Sequence, residues 1–415
     1  MRSPSLYVLA LGALWSGAAA QDPRKSAVDP KRVDEAIRRG VEFLKRAPSP
    51  AAEGGIENSD ELVLLTLLHG GLGEEDPKVR DLLGRVLEAP LQHTYKVALQ
   101  AMALEELDRV KYQKRIFHCA QFLVDNQSPS GQWSYGKPTI LPDFPAGVPT
   151  KATNPARSTT GGVEFGGPRT KPPVRQKVAV KRQRAWPAAG DEGTEGDNSN
   201  SQYAALGLRA CHDAGILLPS ETVARAASWW RKTQLSEGKE REEEDNDDRG
   251  NKPAPGKRVA TGGGVARPRG WGYSPGEDPS GSMTAGAVGA LVIYDYIQGK
   301  DWKKDPNVAD GMSWLASRFT VRENPGRGAE WHFYYLYALE RVGMLYGTDL
   351  IGGHAWYAAG ATWLLDSQNP DGSWGKNGSE EEDTTWNTCF ALLFLRRSTR
   401  PLVDVASVDR FRPEK

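Results

Sequence analysis

The alternation of two kinds of predicted helix is the feature of this sequence that most limits its fold. The first kind has apolar residues at positions i, i+3, i+4, i+7 and i+8 and polar residues between them, which is the pattern of a helix with one buried face. Val33, Ala36, Ile37, Gly40 and Val41 show the pattern. Six segments carry it in full or shortened form, and they begin at Val33, Val79, Ile116, Val223, Val308 and Trp356.

The second kind of helix is apolar on nearly every side and rich in small residues. These helices are predicted at Asp60 to Leu68, Thr94 to Leu104, Ser201 to Cys211, Thr284 to Ile297, Trp331 to Val342 and Thr384 to Leu395. A helix without a polar face must be covered by protein on all sides. Six half-exposed helices that alternate with six buried ones therefore predict two concentric rings. We expect an all-α protein, an α6/α6 toroid built as a double ring of helical hairpins, with no sheet of three or more strands.

The N-terminal residues are typical of an export signal. Arg2 is a short basic region, an apolar stretch runs from Leu6 to Trp15, and three alanines end at Ala20. About ten apolar residues are too few to cross a hydrocarbon layer of roughly 30 Å. We predict a cleavable signal peptide at residues 1–20, a single toroid at 21–399 and a C-terminal tail at 400–415. The protein is then exported to the periplasm, the cell surface or the medium, and no later segment predicts a transmembrane span.

Two insertions interrupt the helical pattern, at about residues 136–196 and 236–269. The first is strongly basic between Lys151 and Arg184, and the second holds an acidic run that begins at Glu240. Neither shows helical or strand periodicity, so we expect loops that contribute little to the core. Each insertion lies between an outer helix and the next inner helix, which places both at the same end of the toroid.

Turn sequences between the helices provide the most specific local signal. Gln127 to Trp133 and Gln368 to Trp374 both combine Gln, Pro, Gly and Trp at the end of an outer helix, and Gln234 with Trp271 forms a degenerate third copy. Pro ends the helix, Gly adopts positive φ, and Trp supplies a large apolar group between hairpins. These segments resemble the QW motif of the squalene cyclase, terpenoid cyclase and protein prenyltransferase superfamily. The resemblance implies the α/α toroid of that superfamily, with structural tryptophans.

The catalytic residues of that superfamily are only partly matched. Class II terpenoid cyclases use an Asp-x-Asp-Asp acid, and the segment Glu380 to Asp383 is similar in place but different in pattern. Prenyltransferases hold zinc with an Asp, a Cys and a His, and Asn387 stands where that His would be. Asn is a poor zinc ligand. The comparison implies no metal and no cofactor.

Candidate site residues cluster where the inner helices begin, because exposed N–H groups there face the central cavity. Candidate catalytic acids are Asp383 and Glu330. The candidate ligand-binding residues are Asn198, Asn200, Gln202, Thr284, His332, Tyr334, Trp386 and Asn387. Residues such as Asn198 and Asp383 are also common N-caps, so a structural role is the alternative for them.

Composition and motifs leave two classes of function. Equal numbers of basic and acidic side chains, 53 each, give no global attraction to nucleic acid. The three cysteines cannot form a disulfide framework, and a single disulfide between Cys119 and Cys211 is conceivable but not indicated. The first hypothesis is a binding or scaffold protein that takes a peptide, glycan or lipid at the toroid mouth. The second is a terpenoid cyclase-like or divergent carbohydrate-active enzyme that uses an acid at the cavity mouth.

Overall fold

The computed structural model describes residues 28–47, 59–150, 173–186, 196–235, 260–261, 264–375 and 384–402. Within them the chain is mainly helical, as predicted, and helices of two kinds alternate along it. The observed inner helices start within three residues of the predicted starts. The predicted signal peptide and most of the acidic insertion lie outside the described residues.

The outer helices pack one face against the inner ring, and α5 departs from the predicted one-sided pattern because ten of its thirteen residues are buried. Three of them begin at an Asp-Pro pair, in which the Asp carboxylate accepts backbone N–H groups of the first turn and Pro takes the first helical position. The outer helices are α1 (Pro30–Arg46), α3 (Pro77–Glu88), α5 (Gln113–Asp125), α7 (Ser220–Thr233), α9 (Pro306–Ser317) and α11 (Trp356–Ser367). A short 3-10 helix, Trp302–Lys304, precedes α9.

The inner helices form a closed ring. They are α2 (Asp60–His69), α4 (Thr94–Asp108), α6 (Asn198–Asp213), α8 (Gly281–Ile297), α10 (His332–Tyr346) and α12 (Thr384–Arg396). Each contacts the next in this order, and α12 returns to α2. Outer helices pack against this ring, and α1 contacts both α11 and α12, so the first and last hairpins meet. Across the described ranges we find no helix that is long and apolar enough to cross a membrane.

The predicted turns after α5, α7 and α11 share one set of contacts. The indole N–H of Trp133, Trp271 or Trp374 donates to a carbonyl near the end of the preceding outer helix. The glutamine side chain of each turn donates to a backbone carbonyl of the next outer helix. These contacts join neighbouring hairpins and leave the tryptophans fully buried.

Glycine is required in two of these turns by both its conformation and its surroundings. Gly131 and Gly372 have φ values of +102° and +96°. A Cβ atom on Gly131 would lie 2.3 Å from the carbonyl oxygen of Arg225, and one on Gly372 would lie 2.4 Å from that of Arg39. The turns therefore pack directly against the backbone of the adjacent outer helix.

The expectation that no sheet has three strands was wrong. Strand β2 (Gln176–Ala179), inside the first insertion, pairs antiparallel with β1 (Val148–Pro149) and parallel with β3 (Ile216–Leu217). Val178 and Val180 are 1% and 3% exposed, so this part of the insertion does contribute to the core, contrary to prediction. Further two-residue strands are β4 (Ala260–Thr261) with β5 (Gly264–Val265), and β6 (Leu350–Ile351) with β7 (His354–Ala355).

Candidate functional site

A cavity of about 520 Å³ opens at the end of the ring where the inner helices begin. Five of the six inner helices, all but α2, contribute to its wall, together with three loop segments that follow α5, α7 and α9. Its volume lies within the range of roughly 300–1,000 Å³ that is usual for small-molecule sites. The cavity is lined by Tyr95, Tyr135, Ser199, Asn200, Tyr273, Glu277, Ser280, Ser282, Met283, Asn324, Arg327, Glu330, Trp331, Tyr334, Trp386 and Phe390.

Aromatic rings dominate the cavity wall and its mouth. Trp331 stacks on Trp386 with ring centroids 6.4 Å apart, and Tyr334 meets Trp331 and Phe390 edge to face. Tyr135, Tyr273 and Trp331 are 54%, 40% and 51% exposed. Every large aromatic side chain that is exposed in the described residues lines this mouth. Exposed aromatic groups gathered at one place mark an interaction site.

Two residues at this end of the ring have a positive φ angle, and Trp331 is in the left-handed helical region. Trp331, the N-cap of α10, has φ 54° and ψ 33°, and His93, the N-cap of α4, has φ 63°. Non-glycine residues rarely adopt positive φ, and such strain concentrates at functional sites. The strained backbone holds the Trp331 ring out over the cavity instead of in the core.

Most polar groups of the wall already have partners. Asn324 accepts the backbone N–H of Ser282 through Oδ1 at 3.0 Å and donates through Nδ2 to the Glu330 carbonyl at 3.1 Å. Ser280 caps α8 by accepting the N–H of Met283. The Nδ2 group of Asn200 donates to Asp197, while its buried Oδ1 has no protein partner. The wall therefore has few polar groups left for a ligand.

Charged groups are confined to the rim. Arg327 and Glu277 form an ion pair of 3.1 Å with both side chains about two-fifths exposed. Glu330 is exposed at the same rim. Just behind the wall, burial raises the pKa of Asp197, the N-cap of α6, while hydrogen bonds from Asn200 oppose that shift. Asp197 is thus a third carboxyl group at or near the cavity, after Glu277 and Glu330, and the sequence patterns did not single it out.

Four of the predicted site residues line the cavity: Glu330, Asn200, Tyr334 and Trp386. Asn198 lies behind the wall, where it donates to the Gly272 carbonyl and accepts the indole N–H of Trp229. Thr284 is fully buried and accepts the backbone N–H of Trp271. These last two side chains bind neighbouring segments of the protein.

The remaining predicted residues lie elsewhere. His332 packs against Trp363 of the outer helix α11, with Nε2 3.0 Å from the Val321 carbonyl, and burial lowers the pKa of its imidazole. Asn387 packs beside Gly375 and does not belong to the lining. Gln202 lies deeper in the ring, beside Arg341. Asp383 falls outside the described residues, so its role stays a prediction.

Tyr95, Tyr135, Tyr273 and Phe390 line the cavity and were missed by the sequence patterns. Tyr135 and Tyr273 each lie two residues after a turn tryptophan, Trp133 or Trp271. That shared spacing is a signal that could have identified them. Tyr95 and Phe390 lie inside buried helices, where no local pattern distinguishes a cavity residue from a core residue.

The next question is whether the described part of the chain holds a metal site or a reactive thiol. It contains no group of three or more His, Cys, Asp or Glu side chains placed to hold a metal ion. Cys119, Cys211 and Cys389 are buried thiols that form no disulfide with one another, and burial raises the pKa of the Cys119 thiol to about 12. A thiol with such a pKa is not a nucleophile near neutral pH.

Comparison with known proteins found similar chains among solved structures. No family model and no curated protein matches the chain. The apo structure of the type II terpene cyclase MstE from Scytonema matches at 13% identity and TM-score 0.47, covering 89% of this chain and 99% of that chain. A substituted apo form of the same cyclase matches at 12% identity and TM-score 0.47, covering 89% and 97%. Another substituted form, in complex with its substrate geranylgeranyl dihydroxybenzoate, matches at 13% identity and TM-score 0.45, covering 89% and 96%.

Proposed function

We propose that this chain is an exported binding protein that takes an apolar, lipid-like ligand into the cavity at the mouth of the toroid. The observation that carries the proposal is the aromatic wall, where Trp331, Tyr334, Trp386 and Phe390 form one connected cluster. Export rests on the N-terminal sequence, residues 1–20.

The wall favours an apolar ligand over a sugar or a peptide. Sugars and extended peptides need many hydrogen bonds, and a buried polar group of the ligand that stays unpaired loses affinity. Asn324, Ser280 and Ser282 are already engaged in hydrogen bonds within the protein. Aromatic rings, in contrast, offer large contact area and lose little side-chain entropy on binding.

Calorimetric titration of the purified chain, residues 21–415, with farnesol tests the proposal. Farnesol is a linear isoprenoid alcohol, so binding depends mainly on apolar contact. The variant Trp331→Gly removes the exposed ring and suits the left-handed backbone at that position, so it should weaken binding at least tenfold without unfolding the chain. Leu350→Ala, an exposed apolar residue outside the lining, is the matched control and should bind like the wild type. No measurable binding by the wild type, or equal binding by Trp331→Gly, would refute the proposal.

A cyclase-like enzyme is the second candidate. Glu330 stands at the cavity rim beside aromatic faces that could stabilise a carbocation. Glu330 is exposed, whereas a proton donor to an alkene needs an acid held protonated by burial or by a second carboxylate. Incubation with linear polyprenyl substrates and mass spectrometry of the products decides between the candidates. A cyclised product that disappears in Glu330→Gln or in Asp383→Asn would establish the enzyme.

A further inference from the structure

Arg341 is a buried cation in the middle of the inner ring. It lies on α10, two turns beyond the cavity residue Tyr334, and is 3% exposed. Its Nη2 donates to Oε1 of Gln202 at 2.8 Å, whereas Nη1 is buried and has no partner. No carboxylate of the described chain lies within ion-pair distance of it. Arg231, by comparison, pairs with both Asp295 and Asp305.

The rings around Arg341 do not replace a counter-ion. Its guanidinium carbon lies 4.2, 5.7 and 5.9 Å from the ring centroids of Tyr337, Tyr203 and Tyr334. Aromatic faces attract a cation, but a buried charge still needs hydrogen-bonding partners for its remaining N–H groups. The guanidinium has five such donors and no capacity to accept.

Other unpaired polar atoms border the same guanidinium. Gln202, which accepts from Arg341, has a buried Nε2 without a partner, and the adjacent Tyr203 has a buried hydroxyl without one. Nη1 and Nε2 can only donate a hydrogen bond, whereas the Tyr203 hydroxyl can donate or accept one, and its interaction with Arg341 opposes the rise that burial causes in the pKa of Tyr203. Unpaired donors around a cation are the arrangement that an oxyanion satisfies, since it brings negative charge and only acceptors.

The cluster is one aromatic ring away from the cavity. Tyr334 lines the cavity, stacks on Tyr203 with centroids 6.2 Å apart, and also faces Arg341. We propose that Arg341, Gln202 and Tyr203 form an oxyanion subsite that holds the carboxylate or phosphate group of a ligand whose apolar part fills the cavity. The headgroup assignment rests on the proposed function, whereas the subsite itself also accommodates a free inorganic oxyanion.

A matched pair of probes tests the oxyanion subsite separately from the proposed binding of an apolar ligand. Farnesoic acid and farnesol share the apolar chain and differ in the acid group. We expect calorimetry to show the acid binding the wild type at least tenfold more tightly than the alcohol. Arg341→Met should lose this preference and still bind farnesol.

A second experiment measures the thermal midpoint of unfolding with increasing inorganic phosphate, balanced by chloride at constant ionic strength. A rise in the wild type that is absent in Arg341→Met would also support the subsite, with a free anion as its occupant.

The variant Gln202→Glu keeps the subsite testable if Arg341→Met does not fold. It places a carboxylate 2.8 Å from Nη2, where Gln202 Oε1 now lies, and so supplies the missing negative charge from within the protein. This variant should have a higher thermal midpoint than the wild type and no preference for the acid. Equal binding of acid and alcohol by the wild type, without an Arg341-dependent response to phosphate, overturns the subsite and leaves the proposed function standing. If neither probe binds, the proposed function fails, and the phosphate arm alone decides the subsite.

Discussion

The carboxyl group of Glu340 should make the stability of the toroid depend on pH. Glu340 lies on α10 with no exposed surface, and its oxygens accept hydrogen bonds from the backbone N–H and the hydroxyl of Thr399, at 2.9 and 2.7 Å. Thr399 belongs to the segment that follows α12, so this contact ties the end of the described chain to the inner ring. Burial raises the pKa of the Glu340 carboxyl from its ordinary value of 4.5 to about 7.

The direction and size of the effect follow from that shift. The folded chain holds the proton more tightly than the unfolded chain, so the contribution is fully present below about pH 4.5 and is lost as the pH rises through about 7. At about 1.4 kcal/mol for each pKa unit, the loss amounts to about 3 kcal/mol. Glu340→Gln keeps a neutral group that can accept from the Thr399 N–H and donate to its hydroxyl. It should match the wild type near pH 4.5 and exceed its unfolding free energy by about 3 kcal/mol above pH 8.

Urea unfolding of both proteins between pH 4.5 and 8.5 measures this difference directly, because titrations common to both proteins cancel. Glu88→Gln, at the exposed end of α3, is the control for loss of a surface carboxylate and should stay within about 0.5 kcal/mol of the wild type. A difference between Glu340→Gln and wild type that does not change with pH would refute the argument. A variant less stable than the wild type at pH 8 would do the same.

Two further predictions concern the closure of the ring and the first insertion. Gln368 donates to the carbonyls of Ala36 and Gly372, each at 2.9 Å, and so joins the last outer helix to the first. Gln368→Ala should lower the unfolding free energy by about 2 kcal/mol in urea titration, and a change below about 0.5 kcal/mol would show that closure does not need these bonds. Val178→Ala, in the buried part of β2, should cost about 2 kcal/mol, while Lys177→Ala on the exposed side of the same strand should cost less than about 0.5. Equal effects of the two strand changes would indicate that β2 does not pack on the toroid in solution.

Local periodicity was sufficient to predict the fold because both helix types leave a signal in the sequence. One-sided stripes identify the outer helices, Asp-Pro pairs mark several of their starts, and runs without a polar face identify the inner ring. Connectivity then places the inner helix starts at one end, where the cavity lies. Strand β2 was missed because the only apolar run there, Val178 to Val180 between Lys177 and Lys181, is too short to stand out from its surroundings.

The rotation of each inner helix was decided only by the tertiary structure. Near the start of α6, Asn200 lines the cavity, whereas its close neighbours Asn198 and Gln202 bind other parts of the protein. The sequence could place all three at the correct end of the ring but could not orient them. A helix that is apolar on every side has no periodic pattern to show which face meets the ring axis. Packing against neighbours from distant parts of the chain selects that face, and it also brings Arg341 to the unpaired groups of Gln202 and Tyr203.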